Sequence, residues 1–278
     1  LIYLLKLIDD SNEFFVQGKE RMSHLNFSIF ILLFILLSNV RAMGSIQPSR
    51  YIELLKYVQP APQQGKTGTC LYVASTGAVE LIMNKKDNII NPVPYGPNDL
   101  SESYLINAPL VSTEGKSSWE KVVLKFNNGF GIHIDDWPFD AWINASKNQG
   151  VWDDRDIAHM PKVTVPRIDT THLFSLGNRW SINILEKSHI EIIKEALWKN
   201  KSPVLVNYNH GGFWHVVLIV GYDDQLPGKC MLVSESDCDK DLGSFYVRDS
   251  AEGMSISVRD YDWFRILGNT AILIREVK

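Results

Sequence analysis

Nowhere does the chain run through the roughly 20 apolar residues that a helix needs to cross a bilayer. Its longest apolar stretch, FSIFILLFILL from Phe27 to Leu37, stops at eleven residues. Positive charge is not in excess either. The 28 Lys and Arg stand against 32 Asp and Glu, and a net charge of -4 offers no basic face to nucleic acid or anionic lipid. With 18 Gly and 12 Pro in 278 residues, collagenous and low-complexity architectures are excluded, and no internal repeat is visible. His133, His159, His172 and His189 have no metal-ligand spacing with Cys or acidic residues. Asp135-Asp136 and Asp153-Asp154 read as solvated loop acids. No metal, no cofactor and no nucleic-acid partner are therefore expected. Cysteine is scarce too, at three residues.

What remains is a chain with 45% hydrophobic and 22% charged residues, the balance of an ordinary globular protein. Residue 1 is Leu and the first methionine is Met22; the apolar run is followed by Ser38-Asn39-Val40-Arg41-Ala42. A short apolar core ending in small residues reads as a secretory signal at about 22–42. The expected division is an upstream segment and signal over 1–42 and one domain over 43–278. The expected location is secreted or periplasmic, the alternative being membrane anchoring by the same apolar segment, and no other stable membrane partner is expected. Cys230 and Cys238 flank a turn and can form a disulfide, which leaves Cys70 as the odd thiol. Asn144-Ala-Ser and Asn200-Lys-Ser are glycosylation-type tripeptides, meaningful only on a eukaryotic secretory route. Trp137, Trp142 and Trp152 read as packing aromatics.

After the proline-stiffened approach Gln59-Pro60-Ala61-Pro62, apolar residues at helical spacing predict a buried helix closed by Asn84 and Lys85, with Cys70 in its first turn. Ser118–Asn127 and Pro138–Lys147 are shorter helix candidates, and Glu186–Asn200 is an amphipathic one. The character then changes. Pro203-VLVNYN, His215-VVLIVGYD, Cys230-MLVSE, Ser244-FYVRD and Thr270-AILIRE are rich in branched and aromatic residues bounded by turn formers, and predict strands. A helix-rich first half and a strand-rich second half make an α+β fold whose seam is the natural cleft.

Thiol hydrolysis needs a thiolate, and a helix N-terminus beside a histidine favours one. Cys70 opens a helix. Gln64, six residues earlier and next to the Gly65/Gly68 loop, can place its amide beside the thiol as an oxyanion donor, with the backbone N–H of Cys70 as the second. His215 begins an apolar strand and Asp249 ends a later one, so the carboxylate could orient the imidazole. Taken singly, these are a core cysteine, a structural histidine and a turn aspartate. In the order Gln, Cys, His, Asp, with a helix and then strands around them, they form a catalytic constellation.

The segment Gln64-GKTGTCLYVASTGAVE resembles the active-site segment of the papain family, in which a Gln precedes a Gly-rich loop, the nucleophilic Cys and a helix. Leu100-SESYLINA is similar to that family's LSEQ segment, and Trp214-HVVLIVGYD to its His-strand segment. The likeness spans about residues 60–275. Thr67 stands where the family has a second Cys, Leu71 replaces its aromatic, and the Cys-Gly-Gly motif is missing. The Asn-Ser-Trp segment is replaced by Arg248-Asp249-Ser250-Ala251, without the Trp. Tyr246-VRDSAEGMSISVRDYDWF is instead similar to the bacteriocin-processing branch of the superfamily, where an Asp is the third residue.

The resemblance implies a papain-like two-lobe α+β fold, with a helical lobe, an antiparallel sheet or partial barrel, and the cleft between them. It implies a cysteine peptidase with Cys70 as nucleophile, His215 as base, Asp249 as orienting acid and Gln64 at the oxyanion. The expected partner is a peptide or protein substrate and the expected state a monomer. Two alternatives stay open: an acyltransferase on the same triad, and a non-catalytic peptide- or wall-binding module on the same fold.

Overall fold

Helix α1 spans Cys70–Lys86. Burial runs unbroken from Val73 to Asn84, around the whole cylinder rather than along one stripe, so this helix belongs inside a core. The computed structural model describes residues 47–65, 67–108, 115–139, 157–176, 185–210, 212–227, 243–251 and 256–277. The fold is that of the unit Pro48–Lys278. The signal at 22–42, the Cys230–Cys238 pair and the strand at Cys230, the tripeptide at Asn144, and Trp142, Trp152, Asp153 and Asp154 lie outside the described residues.

Four further helices follow, of which those starting at Ser118 and Lys187 were expected. Helix α2 (Glu102–Asn107) is capped by Ser101, whose side chain accepts from the Tyr104 N–H at 3.0 Å. Helix α3 (Ser118–Val123) starts with a Ser117/Glu120 capping box and tightens into a 3-10 segment over Leu124–Asn128. Helix α4 (Lys187–Asn200) is the expected amphipathic one, and α5 (Tyr261–Leu267) is capped by Asp260. Pro138 and Phe139 are not helical, so the helix expected from Pro138 does not begin there; a proline-led start had no cap to fix it.

The strands, in chain order, are β1 (Arg50–Tyr51), β2 (Phe130–Gly131), β3 (Val163–Thr164), β4 (Ile168–Ser175), β5 (Val204–His210), β6 (Phe213–Asp223), β7 (Ser244–Arg248), β8 (Ile256–Asp260) and β9 (Gly268–Glu276). The main sheet runs β4-β9-β5-β6-β7-β8 with β1 also on β6, and every pairing in it is antiparallel. Helix α1 packs on β6, which carries Val216 to Val220 fully into the core. Four strand predictions match β5, β6, β7 and β9 closely, although β6 begins at Phe213 rather than at His215. The strands β4 and β8 were not expected. Their sequences, IDTTHLFS and ISVRD, are half polar, and each lies at an edge of the sheet.

Register places the site. Tyr208 pairs with His215 across β5 and β6, Leu218 with Arg248 across β6 and β7, and Phe245 with Arg259 across β7 and β8. Paired residues share a face and successive residues alternate. Asp249 follows Arg248 and therefore lies on the face opposite Leu218, which is the face of His215, Tyr208 and Arg259.

Candidate active site

The four residues expected to form a site meet where the N-terminus of α1 approaches this face of the sheet. Cys70 is the first residue of α1, with Thr69 as N-cap, and its thiol is unpaired and 8% exposed. It lies beside the His215 ring, close enough to interact with it electrostatically. His215 Nε2 donates to Asp249 Oδ1 at 2.7 Å, so Nδ1 is the nitrogen left for the sulfur. Asp249 is fully buried. Burial alone would push the His215 pKa down, but its hydrogen bonds and charge interactions with Asp249 and Cys70 outweigh this and hold it up at about 9. Burial likewise opposes the Asp249 charge, and the bond from His215 with the Ala251 N–H and Arg259 keeps its carboxyl below the ordinary value. A histidine held as imidazolium between a sulfur and a carboxylate is the ion pair that thiol nucleophiles use.

Gln64 is buried on the other side of the thiol's loop. Its Nε2 donates to the Thr67 carbonyl at 3.0 Å, leaving the second amide hydrogen, and its Oε1 accepts from the Ser250 hydroxyl. The Gln64 N–H also donates to the Ser250 carbonyl at 3.1 Å. The side-chain amide is thus held at one end by Thr67 and at the other by Ser250, the residue that follows Asp249. A cavity of about 880 Å³ bordered by Lys85, Lys199 and Arg275 is lined by none of these residues.

No protein-family model matches the chain, and no curated protein matches its sequence. Solved structures do match. The recombinant stem bromelain precursor aligns at a TM-score of 0.54 and 14% identity, over 84% of this chain and 72% of that one. Digestive procathepsin L 3 of the Tenebrio molitor larval midgut aligns at 0.52 and 16%, over 84% and 71%. The cysteine protease and lectin-like domains of Cwp84, a surface layer associated protein of Clostridium difficile, align at 0.53 and 15%, over 83% of this chain and 53% of that one. The chain has the papain-like cysteine peptidase fold.

Within this papain-like frame, two departures noted in the sequence have local replacements. Thr67, at the position of the family's second Cys, donates its hydroxyl to the Gln64 carbonyl at 2.7 Å and accepts from the Thr69 hydroxyl at 2.6 Å. Two hydroxyl bonds hold the loop that a disulfide would hold. The Trp missing after Asp249 is replaced by aromatics from elsewhere. Tyr208 meets the His215 ring edge-on at 5.3 Å, and Trp263 from α5 meets Tyr208 at 4.2 Å.

Sequence reading missed three residues of this papain-like site. Ser250 holds Gln64. Arg259 Nη2 lies 2.6 Å from Asp249 Oδ2, both side chains buried, with its guanidinium over the Trp263 ring at 4.5 Å. Arg248 is buried beneath the loop, donating to the carbonyls of Gln59 at 2.8 Å, Val73 at 2.9 Å and Pro60 at 3.3 Å, and pairing with Glu80 at 3.5 Å. The one signal for them was an arginine at an unexpectedly apolar strand end, in YVRD and again in SVRD. Trp137, expected as a packing aromatic, is 2% exposed in the core.

Proposed function

We propose that the chain is a secreted cysteine peptidase that hydrolyses peptide bonds through Cys70, His215 and Asp249. The observation that carries this reading is the His215 ring set between Asp249, bonded at 2.7 Å, and the Cys70 thiol with which it interacts on its other side. In the proposed reaction the Cys70 thiolate attacks the peptide carbonyl. The carbonyl oxygen becomes negative and accepts from the second Nε2 hydrogen of Gln64 and from the Cys70 N–H at the start of α1. As the intermediate collapses, the C–N bond breaks and His215 Nδ1 gives its proton to the leaving amine. Water, deprotonated by the now neutral His215, then adds to the thioester; the C–S bond breaks, and the acid product and the thiolate are released. Asp249 remains ionised throughout and holds the ring.

The substrate class is a peptide or protein, in keeping with the proteases of this fold. Secretion rests on the apolar run before residue 43. Among the described residues no helix is long and apolar enough to cross a membrane. The test is alkylation of Cys70 by an epoxide thiol trap at neutral pH, together with digestion of a proteome-derived peptide library. The expected result is rapid labelling that is lost in His215→Ala, and cleavage products that vanish in Cys70→Ala. A thiol reacting no faster than free cysteine, with no cleavage, overturns the peptidase reading in favour of a binding module.

A further inference from the structure

The residue behind the acid is the feature that the proposed reaction does not use. Asp249 is completely buried, and its two oxygens have different partners. Oδ1 accepts from His215 Nε2 at 2.7 Å and from the Ala251 N–H at 2.8 Å. Oδ2 takes the Arg259 guanidinium at 2.6 Å. Arg259 is itself 4% exposed, donates its Nε to the Ser257 hydroxyl at 3.4 Å and lies flat over Trp263. That indole touches Tyr208, which touches the imidazole. A polar path and an aromatic path therefore both run from Arg259 to His215.

The charges explain why such a residue is needed. Where the resembled family places a neutral amide, this chain places a carboxylate, and a bare buried carboxylate against an imidazole would over-stabilise the cation. A histidine held too firmly as a cation is a poor acid toward the leaving amine. A guanidinium on the far oxygen offsets part of the extra charge and also occupies Oδ2, so that Oδ1 alone faces the ring.

We propose that Arg259 is a positioning residue that offsets part of the Asp249 charge, so that the carboxylate aims His215 and holds its proton less tightly than an unpaired carboxylate would. The proposal rests on the Cys70–His215–Asp249 reading and deepens it. The groups facing the imidazole are Cys70 from α1, Tyr208 from β5, Asp249 after β7 and, through Asp249, Arg259 from β8. Three charge states can be made. Arg259→Met leaves the carboxylate uncompensated, Asp249→Asn leaves the guanidinium uncompensated, and the double variant restores the neutral sum.

The experiment measures the rate of Cys70 alkylation by iodoacetate, an anion drawn to the imidazolium and slowed when the ring loses its proton, against pH in the full chain, with near-UV circular dichroism as the folding check. This readout needs no substrate. The alkaline limit of the accelerated reaction should move up by about one unit in Arg259→Met and down by about one unit in Asp249→Asn. In the double variant it should return to within about half a unit of wild type. A merely structural arginine would lower the rate without moving the limit. Coincident limits in wild type and Arg259→Met, or a double variant no closer to wild type than Asp249→Asn, overturn the proposal. Should either single variant fail to fold, the other compared with the double variant and wild type reads the same displacement. Absence of any acceleration in wild type would instead defeat the triad reading itself.

Discussion

Replacing Gly77 by alanine should destabilise the protein, although the same change in an ordinary helix stabilises it. Alanine is favoured over glycine inside a helix by about 1 kcal/mol. Gly77 lies in the middle of α1, and a Cβ built there would stand 2.1 Å from Arg248 Nη1 and 2.5 Å from its Cζ. The guanidinium has no cheap way to retreat, because it bonds the carbonyls of Gln59, Val73 and Pro60 and lies against Glu80. Pushing it aside breaks a buried ion pair and strands at least one carbonyl. Breaking such a pair from one side costs about 3–5 kcal/mol. Less the helical gain, a net loss of about 2–4 kcal/mol is expected. Urea unfolding followed by tryptophan fluorescence measures it, because the linear extrapolation resolves differences of this size. The pairing of cause and effect is checked in an Arg248→Met background, where the added methyl meets a flexible apolar chain and its cost should shrink to below about 1 kcal/mol. An alanine variant as stable as wild type, or a cost unchanged in the Arg248→Met background, would refute the steric argument.

Three further outcomes follow from the site and its surroundings. Ser250→Ala removes the hydroxyl that fixes Gln64 Oε1, and kcat should fall about 5-fold, the equivalent of one net hydrogen bond, with KM nearly unchanged; equal kcat values would show that the amide is held without it. His215 is pushed up to about 9, above its unfolded value, so the stability it contributes is complete below about pH 6.5 and is lost as pH rises through 9. The alkaline limb of kcat/KM against pH should fall in the same range; a limb near 7 would contradict the ion pair. Glu102 is pushed up to about 8, chiefly by burial with Arg248 opposing, and its Oε2 has no hydrogen-bond partner among the described residues. Its contribution is present below about pH 4.3 and drains away through pH 8, so Glu102→Gln should match wild type in acid and exceed it at pH 8, as thermal melts across pH would record.

The sequence made α1 legible, with its start at Cys70, because a buried helix announces itself by continuous apolar spacing and its start by a Gly-rich loop. The strands β5, β6 and β9 were legible for the same reason: each is buried on both faces and reads as an unbroken apolar run. Edge strands are not, and β4 with Thr170, Thr171 and His172 reads like a loop until β9 is laid beside it. The expected site residues Cys70 and His215 are conspicuous because each sits at a change of local pattern, and Gln64 and Asp249 because each resembles a known segment. Arg259 was not found, since nothing in ISVRD states that its arginine lies opposite Phe245. Register between strands is a property of two segments together, and it is register that brings Arg259 under Asp249. Tyr208 and Trp263 escaped for the same reason: they reach the imidazole through a hairpin and a helix distant in the chain.

Residues 59–64 and 248–250 are tied at four points: Arg248 to the carbonyls of Gln59 and Pro60, and Ser250 to both the backbone and the amide of Gln64. One strip therefore carries the proposed oxyanion donor and the other the proposed orienting acid, and neither can drift alone. Evolution can retune this groove only by paired substitutions, so natural variants should change both strips in step while the surface around them diverges freely.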